Sequence, residues 1–243
     1  MQDKVAIISG ASRGLGREIA IALASDGYAT AVTYAGSADK AEQVVQSIQD
    51  HGGKALAIKA DVAAPGQVDA LFNQVEQTLG GIDAVINTAG ISVLKPLLEF
   101  SEAEFSRLMA TNLTGTFNIL QQAGRRVKPG GRIITFSSNV VDSLPPAYAV
   151  YAASKSAVEA MSKVLAKELR GREMTVNILS PGPTATDMFL EGKSAELVET
   201  FARQSPFQRL GTPADIIEVV RFLLRPEATW INGQVIKVNG GAN

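Results

Sequence analysis

Short apolar runs alternate with longer stretches of helical periodicity along the chain, and this alternation constrains the fold more than any other feature. The runs that predict strands are Lys4–Ser9, Ala29–Tyr34, Ala55–Lys59, Ala84–Asn87, Arg132–Ser137, Thr175–Leu179 and Val235–Val238. The stretches that predict helices are Gly14–Asp26, Ala38–His51, Gly66–Leu79, Glu102–Val127, Val150–Arg170 and Pro213–Leu224. Strands separated by right-handed crossover helices form a parallel sheet with helices on both faces. We therefore expect an α/β fold, a doubly wound domain with a seven-stranded parallel sheet.

The pattern predicts a single domain over residues 1–243, because no linker, low-complexity tract or run of like charges interrupts it. A chain of 243 residues buries roughly 70% of its unfolded surface, which is enough for a full core. One stretch breaks the alternation: Pro181–Gln208 contains two short helical pieces and several apolar residues. A long insertion beyond the carboxyl end of a strand is typical of a segment that closes over a site, so residues 184–208 are predicted to be a substrate lid.

Composition excludes several kinds of site. The chain has no Cys and a single His, His51, which rules out disulfides and thiol nucleophiles and argues against a Ser-His-Asp triad or a metal centre. The formal net charge of −1 favours neither nucleic acid nor an anionic membrane as a partner. The longest uncharged stretch, Leu108–Gly124, carries polar residues and predicts a buried helix rather than a membrane span. The first residues include only a short apolar run, and the expectation is a cytoplasmic protein.

A glycine-rich loop joins the first predicted strand to the first helix. Its residues are Gly10, Ala11, Ser12, Arg13, Gly14, Leu15 and Gly16. Glycine permits a tight turn and a close approach of the backbone to a phosphate, and the helix N-terminus supplies free N–H groups and positive potential. The loop therefore predicts a site for the pyrophosphate of a dinucleotide. The alternative is a turn that only connects the strand to the helix.

The end of the second strand indicates which dinucleotide is bound. An acidic residue there holds the ribose 2′-hydroxyl of NAD, but the chain runs from Tyr34 to Ser37 without a carboxylate. Ser37 can donate a hydrogen bond to a 2′-phosphate and Arg13 can add a charged fork, so NADP (NADPH) is predicted rather than NAD. The alternative is that Arg13 is a solvated cation on the surface. Asp61 and Val62 follow the third strand, where the carboxylate either accepts from the adenine amino group or caps a turn.

Four polar residues form a candidate reaction site. Tyr151 and Lys155 share one face of a helical stretch. An ammonium beside a phenol favours the phenolate, so we expect the pKa of Tyr151 to lie below its ordinary value of about 10; the alternative is a surface pair. Ser138 follows the fifth strand, at the edge where a ligand crevice opens. Asn112 interrupts an apolar helix, where it either makes a local hydrogen bond or anchors a water near Lys155.

In this order, these motifs resemble those of the short-chain dehydrogenase/reductase family across essentially the whole chain. The matching positions are Gly10–Gly16, Asp61, Val62, Asn87, Ala89, Gly90, Asn112, Ser138, Tyr151, Lys155, Pro181 and Gly182. The resemblance implies a Rossmann-type fold and a catalytic tetrad of Asn112, Ser138, Tyr151 and Lys155. It also implies that three sets of residues contact the cofactor. They are Tyr151 and Lys155 of the tetrad; Asn87, Ala89 and Gly90 after the fourth strand; and Pro181, Gly182, Thr184 and Thr186 after the sixth. Two positions depart from the family pattern: Thr88 replaces a second Asn, which predicts altered local hydrogen bonding, and Thr184 replaces an aliphatic residue.

The resemblance implies reversible hydride transfer between a nicotinamide and a ketone or secondary alcohol. In that scheme Tyr151 supplies the proton, and Lys155 lowers the pKa of the phenol and binds the nicotinamide ribose. Ser138 positions the carbonyl, and Asn112 holds a water in a proton relay.

Within the family, the chain is most similar to 3-oxoacyl-(acyl carrier protein) reductases, through Arg13, the Tyr34–Ser37 strand end and the closing segment 232–241. This implies a carbonyl or acyl thioester substrate, acyl carrier protein as a partner, a role in fatty acid metabolism, and a homotetramer built through residues 102–127, 150–170 and the C-terminal segment. Two alternatives stand beside it: a reductase or dehydrogenase of another hydrophobic ketone or alcohol, and a dinucleotide-binding regulator without turnover.

Two further sets of residues bear on the substrate. The predicted apolar walls are Ile91, Val93, Leu94, residues 143–148, Met188, Phe189, Leu190, Leu197 and Phe201. They suit an acyl chain better than a sugar, and the alternative is that half of them only pack the lid. The predicted cationic set is Arg125, Arg126, Lys128 and Arg172, which forms either a docking patch for an acidic carrier protein or a solvated helix end.

Overall fold

The computed structural model describes residues 4–242 and contains a seven-stranded sheet in which every strand pair is parallel. The strands are β1 (Lys4–Ser9), β2 (Tyr28–Tyr34), β3 (Ala55–Lys59), β4 (Ala84–Asn87), β5 (Arg132–Phe136), β6 (Thr175–Pro181) and β7 (Val235–Val238). The predicted doubly wound α/β fold is confirmed, and the strand ends differ from the prediction by two residues at most. Residues 1–3 and 243 of the predicted single domain lie outside the described residues.

Helices connect the strands and cover the sheet. They are α1 (Gly14–Ser25), α2 (Ala38–Asp50), α3 (Pro65–Thr78), α4 (Glu102–Met109), α5 (Gly115–Arg126), α6 (Val140–Ser143), α7 (Ala149–Glu168), α8 (Asp187–Leu190), α9 (Ala195–Ala202) and α10 (Pro213–Leu223). Short 3-10 turns occur at Leu97–Glu99 and Pro226–Ala228. The two short helical pieces predicted within 181–208 are α8 and α9.

One predicted helix is interrupted. The stretch expected as a continuous helix over Glu102–Val127 contains a π-helical turn, Ala110–Thr114, between α4 and α5. The hydroxyl of Thr116 donates to the carbonyl oxygen of Asn112 over 2.7 Å within this stretch. A π turn widens the backbone by one residue and is frequent at functional sites, and here it contains Asn112.

The core consists of two layers, one on each face of the sheet. Side chains of a strand alternate between the faces, so Val5 and Ile7 of β1 pack toward α3, α5 and α7, whereas Ala6 and Ile8 pack toward α1, α2 and α10. Both faces of the central strands are therefore covered, as expected for a parallel sheet. None of the helices between residues 4 and 242 combines the length and the hydrophobicity of a transmembrane span.

The strand order places a crevice at one end of the sheet. The order is β3-β2-β1-β4-β5-β6-β7, so the chain winds outward from β1 to β3 and then crosses to β4 on the other side of β1. The connections that follow β1 and β4 leave in opposite directions at this point, which opens a crevice beyond the carboxyl ends of the strands. The glycine loop after β1, the residues after β4 and the residues after β5 meet there.

Candidate active site

A cavity of about 850 Å³ lies in this crevice, within the range of small-molecule and cofactor sites. Nearly all of the predicted site residues line it: Gly10, Ser12, Arg13, Gly14, Leu15, Gly16, Tyr34, Ser37, Asp61, Val62, Ala89, Gly90, Ser138, Tyr151, Lys155, Pro181, Gly182, Thr184 and Thr186. Asn87 and Asn112 do not line the cavity and are buried behind it. The two groups of predicted residues, for cofactor and for reaction, therefore share one cavity.

Two glycines of the loop, Gly10 and Gly16, leave no room for a side chain. Gly10 has a φ of +65°, and a Cβ atom added there would lie 2.9 Å from the Cα atom of Ala89. A Cβ atom on Gly16 would lie 2.5 Å from the hydroxyl oxygen of Thr88. Helix α1 begins at Gly14, and the side chain of Arg13 at its N-cap makes no capping hydrogen bond. The loop thus forms a backbone cradle at an uncapped helix N-terminus, which fits a phosphate group.

The predicted 2′-phosphate site is polar and lacks a carboxylate. Ser37 is the N-cap residue of α2, and its hydroxyl makes no capping hydrogen bond. Arg13 is exposed and lines the cavity together with Ser37 and Tyr34. Both donors are therefore placed to bind an anion beside β2. These features fit NADP better than NAD.

Asp61 and Val62 are held by local contacts. One carboxylate oxygen of Asp61 accepts from the backbone N–H of Ala63 over 2.9 Å, so the predicted role in a turn is observed. The contact to adenine stays a prediction. The carbonyl oxygen of Val62 accepts from the side chain of Asn118 over 2.8 Å, which fixes the loop after β3 against α5.

The phenol of Tyr151 and the hydroxyl of Ser138 both line the cavity, and the Ser138 hydroxyl is near enough to influence the pKa of the phenol. Tyr151 and Lys155 lie on α7, and Ser138 follows β5. The ammonium group of Lys155 lies 5.7 Å from the centre of the Tyr151 ring and donates to the carbonyl oxygen of Phe136 over 2.9 Å. The three predicted reacting side chains are therefore brought together by the packing of α7 against the end of β5.

The expected pKa of Tyr151 is wrong. Burial in the cleft raises the pKa of the phenol to about 12, the hydrogen bond from Ser138 opposes this increase, and Tyr148 adds to it. Burial also lowers the pKa of Lys155, to about 8. Lys155 directs its ammonium group to the Phe136 carbonyl rather than to the phenol, so burial dominates. At neutral pH Tyr151 is a protonated phenol, which is a proton donor.

Asn112 connects the π turn to the loop after β4. Its side-chain oxygen accepts from the backbone N–H of Ile91 over 2.8 Å, and its amide nitrogen donates to the Ile91 carbonyl over 2.9 Å and to the Ser154 hydroxyl over 3.2 Å. A Cβ atom on Gly90 would lie 3.4 Å from the Asn112 oxygen and 3.5 Å from the Lys155 nitrogen, so these two groups face the same small space. Both amide protons of Asn112 are used in these bonds, which leaves one oxygen lone pair for a water. The relay role stays a prediction.

A buried series of polar contacts that the sequence did not reveal joins the end of β1 to this region. The Ser9 hydroxyl donates to the Asn87 side-chain oxygen over 2.5 Å, and the Asn87 amide donates to the Thr116 hydroxyl over 2.9 Å. Thr88 donates to the Ser9 carbonyl over 2.5 Å; that this differs from the bonding in the family stays a prediction. Ser9 and Thr116 were missed; Ser9 is a polar residue that ends an apolar strand, whereas Thr116 has other polar residues around it in the sequence.

The segment after β6 is held against β7. Pro181 ends β6 and accepts from the backbone N–H of Asn139 over 3.0 Å. A Cβ atom on Gly182 would lie 2.8 Å from the Cα atom of Asn239. Thr184 is buried and donates to the Gly182 carbonyl over 2.9 Å, whereas Thr186 is the N-cap residue of α8. The hydroxyl of Thr184 is thus engaged within its own loop.

The outer part of the cavity is mainly apolar. Of the predicted walls, the residues that line it are Ile91, Leu94, Ser143, Pro145, Tyr148, Met188, Phe189 and Phe201, whereas Val93, Leu144, Pro146, Ala147, Leu190 and Leu197 do not. The rings of Phe189 and Phe201 meet edge to face with centres 5.2 Å apart. Lys193, which was not predicted, lines the cavity and lies 4.6 Å from the centre of the Phe189 ring.

The predicted cationic set is engaged by nearby groups. Arg126 forms ion pairs with Asp69 and Glu76 at 2.6 and 3.3 Å, and Lys128 with Asp83 at 2.9 Å. Arg172 donates to the carbonyl oxygens of Gly124 and Val127. These side chains serve the chain's own packing, which favours the interpretation as a helix end over a docking patch.

Comparisons with known proteins agree with this geometry. A family model described as enoyl-(acyl carrier protein) reductase matches residues 10–243. A short-chain type dehydrogenase/reductase of Picea abies is 43% identical, over 98% of this chain and 92% of that protein. An NADPH-dependent aldehyde reductase-like protein of Arabidopsis thaliana, described as chloroplastic, is 41% identical, over 99% and 94%. A 3-oxoacyl-(acyl carrier protein) reductase of Staphylococcus aureus is 41% identical, over 98% and 97%.

Solved structures are similar over the whole chain. A dehydrogenase/reductase from Sinorhizobium meliloti superimposes with a TM-score of 0.95 at 37% identity, covering 100% of this chain and 96% of that one. A short-chain dehydrogenase from Burkholderia cenocepacia in complex with NADP gives a TM-score of 0.93 at 36% identity, covering 100% and 98%.

Proposed function

Because the chain belongs to the short-chain dehydrogenase/reductase family of oxidoreductases, we propose that it uses NADPH to interconvert a hydrophobic ketone and a secondary alcohol, with a 3-oxoacyl thioester as the physiological substrate class. One observation carries the proposal. Tyr151, Ser138 and Lys155 line the same cavity as the glycine cradle, with the ammonium group of Lys155 5.7 Å from the centre of the Tyr151 ring.

NADP fits the residues at the cofactor end of the cavity. The backbone of Gly10–Gly16 would hold the pyrophosphate. Arg13 and Ser37 would bind the 2′-phosphate, and Asp61 and Val62 would contact the adenine. Residues Asn87–Gly90 and Pro181–Thr186, with Tyr151 and Lys155, would hold the nicotinamide half. When bound, this cofactor supplies a hydride. NADPH-dependent relatives and an NADP-bound neighbour support the assignment.

The chain's own residues handle the proton. Tyr151 is protonated at neutral pH. It donates its phenolic proton to the carbonyl oxygen of the ketone as the carbonyl carbon is reduced. Ser138 donates a hydrogen bond to the same oxygen and so orients the carbonyl. Lys155 stabilises the phenolate that remains on Tyr151, and a water held by Asn112 returns the proton. In alcohol oxidation each step runs in reverse.

Apolar walls support the substrate class. Ile91, Leu94, Met188, Phe189 and Phe201 surround the outer cavity, and this surface suits an acyl chain. The relative from Staphylococcus aureus supports a thioester of acyl carrier protein, and hence fatty acid metabolism. A second candidate is a bulky aldehyde or aryl ketone, which the edge-to-face Phe189–Phe201 pair and the Arabidopsis relative favour. A regulator without turnover would not need the Tyr151, Ser138 and Lys155 grouping.

A panel of carbonyl compounds and alcohols, assayed with both cofactors, tests this function. The panel contains acetoacetyl thioesters, aryl ketones and aldehydes, and the readout is the loss or gain of NADPH absorbance. We expect reduction of the acetoacetyl thioester with NADPH. The highest kcat/KM on an aryl ketone or aldehyde would favour the second candidate, and no turnover of any compound would contradict the function.

We also propose the assembly and compartment that follow from the family. Phe105 of α4, Phe117 of α5 and Val164 of α7 are 47%, 48% and 51% exposed, which supports a homotetramer through these helices; molar mass from light scattering tests it.

We propose a cytoplasmic location, which fractionation of the source cells tests; the Arabidopsis relative is described as chloroplastic.

Residues 184–208, with α8 and α9, form the outer wall of the cavity, and we propose that they act as a lid within a single domain. Hydrogen exchange in this segment should slow when NADPH and a substrate analogue are both bound. Exchange that slows only at Gly10–Gly16 would contradict a lid.

Arg13→Ala is expected to weaken NADPH binding by about 1.5–3 kcal/mol, the scale of a hydrogen bond to a charged group, or roughly ten- to a hundredfold in Kd. Binding of NADH should change little, because it lacks the 2′-phosphate. Kd values from NAD(P)H fluorescence titration measure both. Arg17→Ala is the matched control, since Arg17 pairs with Glu18 on α1 and does not line the cavity. Equal Kd values of the parent protein for NADPH and NADH would contradict the assignment.

A further inference from the structure

Helix α7 and the end of β5 are joined by a series of polar contacts. Residues 151, 155, 159 and 162 share one face of α7, since they are spaced by three or four positions. The contacts, in order along α7, are Tyr151 with Ser138, Lys155 with the carbonyl of Phe136, Glu159 with Ser137 and Ser162 with Thr135. The first two contain the reacting groups, and the third lies directly beside them.

The third contact has unusual chemistry. The Ser137 hydroxyl donates to a carboxylate oxygen of Glu159 over 2.6 Å, which is the short distance typical of a charge-assisted hydrogen bond. The Glu159 side chain is only 14% exposed, and its cationic neighbour Lys163 lies 3.8 Å away and is 46% exposed. A carboxylate in such a place requires hydrogen bonds to offset its desolvation. The Ser137 hydroxyl, which is buried, supplies one.

Ser137 lies between the two points where β5 meets the reacting side chains. Its predecessor Phe136 provides the carbonyl that accepts from Lys155, and its successor Ser138 lines the cavity together with Tyr151. The backbone N–H of Ser137 donates to Leu179 of β6 over 2.7 Å. Ser137 is therefore held by β6 through its backbone and by α7 through Glu159.

From this arrangement we infer that Glu159 is a positioning residue for the reductase chemistry: its hydrogen bond to Ser137 sets the end of β5 so that Ser138 and the Phe136 carbonyl meet Tyr151 and Lys155. The inference rests on the proposed function for its kinetic consequence. Removal of the carboxylate leaves the Ser137 hydroxyl buried without its acceptor and frees the strand end to move. Misplacement of reacting groups by about 1 Å lowers rates by roughly a hundredfold.

Kinetics of Glu159→Ala, Glu159→Gln, Ser137→Ala and the Ser137/Glu159 double alanine variant test the inference. We expect kcat for ketone reduction to fall about 10- to 100-fold in Glu159→Ala, with the Kd for NADPH within about threefold of the parent. Glu159→Gln keeps an oxygen acceptor for Ser137 and should restore kcat to within about threefold. The losses should not add in the double variant, because the two residues act through one contact.

Lys163→Ala is the matched control, because it removes only the longer ion pair of Glu159, and its kcat should equal that of the parent. Any of three results would overturn the inference. The first is a parental kcat in folded Glu159→Ala, and the second is additive losses in the double variant. The third is an equal loss of kcat in Glu159→Gln and Glu159→Ala. If Glu159→Ala does not fold, Ser137→Ala decides, and a parental kcat there overturns it.

Hydrogen exchange separates this inference from the proposed function. The amides of Ser137 and Asn139, which bond to Leu179 and Pro181 of β6, should exchange faster in Glu159→Ala than in Lys163→Ala. Hydrogen exchange can be measured without turnover. If the parent protein has no activity, the proposed reductase function is contradicted, and the hydrogen-exchange rates still decide whether Glu159 positions the end of β5. Equal exchange in the two variants would overturn the positioning role.

Discussion

Tyr151→Phe is expected to lower kcat for ketone reduction by about 100- to 10,000-fold, the range of general acid catalysis. The variant keeps the ring, so the packing of α7 is retained. It loses the phenolic proton, which the raised pKa of Tyr151 keeps in place at neutral pH. The Kd for NADPH should stay within a few-fold of the parent. Steady-state rates on the best substrate and fluorescence titration of NADPH measure the two effects.

Tyr28→Phe is the control for loss of a phenolic hydroxyl. Tyr28 is the first residue of β2, so it lies at the amino end of the strands, whereas the cavity lies beyond their carboxyl ends. It does not line the cavity, and the turnover of Tyr28→Phe should therefore equal that of the parent. Near-parental turnover in Tyr151→Phe would show that another group donates the proton and that the proposed mechanism is wrong.

The fold could be predicted because the sequence carries it locally. Each strand of a parallel sheet is a short apolar run, and each crossover helix has its own periodicity, so the seven strands were placed to within two residues. The π turn at Ala110–Thr114 could not be predicted in this way. The contacts at this turn include the bonds of Asn112 to Ile91, and Ile91 belongs to a loop more than twenty positions earlier in the chain.

The sequence predicted that Tyr151, Lys155 and Ser138 lie together, but it did not predict their electrostatics. Spacing along a helix places Tyr151 beside Lys155, and strand ends place Ser138 in the crevice. The pKa of Tyr151, in contrast, depends on how deeply the folded chain buries the phenol and on whether Lys155 turns toward it or toward Phe136. Such effects arise from tertiary packing, which periodicity does not encode. For the same reason, the sequence did not predict that Arg126 pairs with Asp69 and Glu76 of α3.

The pH dependence of the rate is expected to follow Lys155. Burial lowers the pKa of its ammonium group to about 8, so the group loses its proton as the pH rises through 8, whereas Tyr151, with a pKa of about 12, stays protonated. Only the charged form stabilises a phenolate and carries three N–H donors. We therefore expect kcat/KM for NADPH, which reports groups of the free enzyme, to be level below about pH 8 and to fall about tenfold per pH unit above it.

Lys155→Ala should remove this dependence and damage both steps in which the ammonium group acts. The Kd for NADPH should rise and kcat should fall, whereas Tyr151→Phe affects kcat alone, and the two losses should not add in the double variant because the residues act as one unit. Lys167→Ala, which alters an exposed Lys on the last turn of the same helix, should keep the parental rate and the parental profile. A decline above pH 8 that persists in Lys155→Ala would assign that titration to a different group, and the role of Lys155 would have to be abandoned.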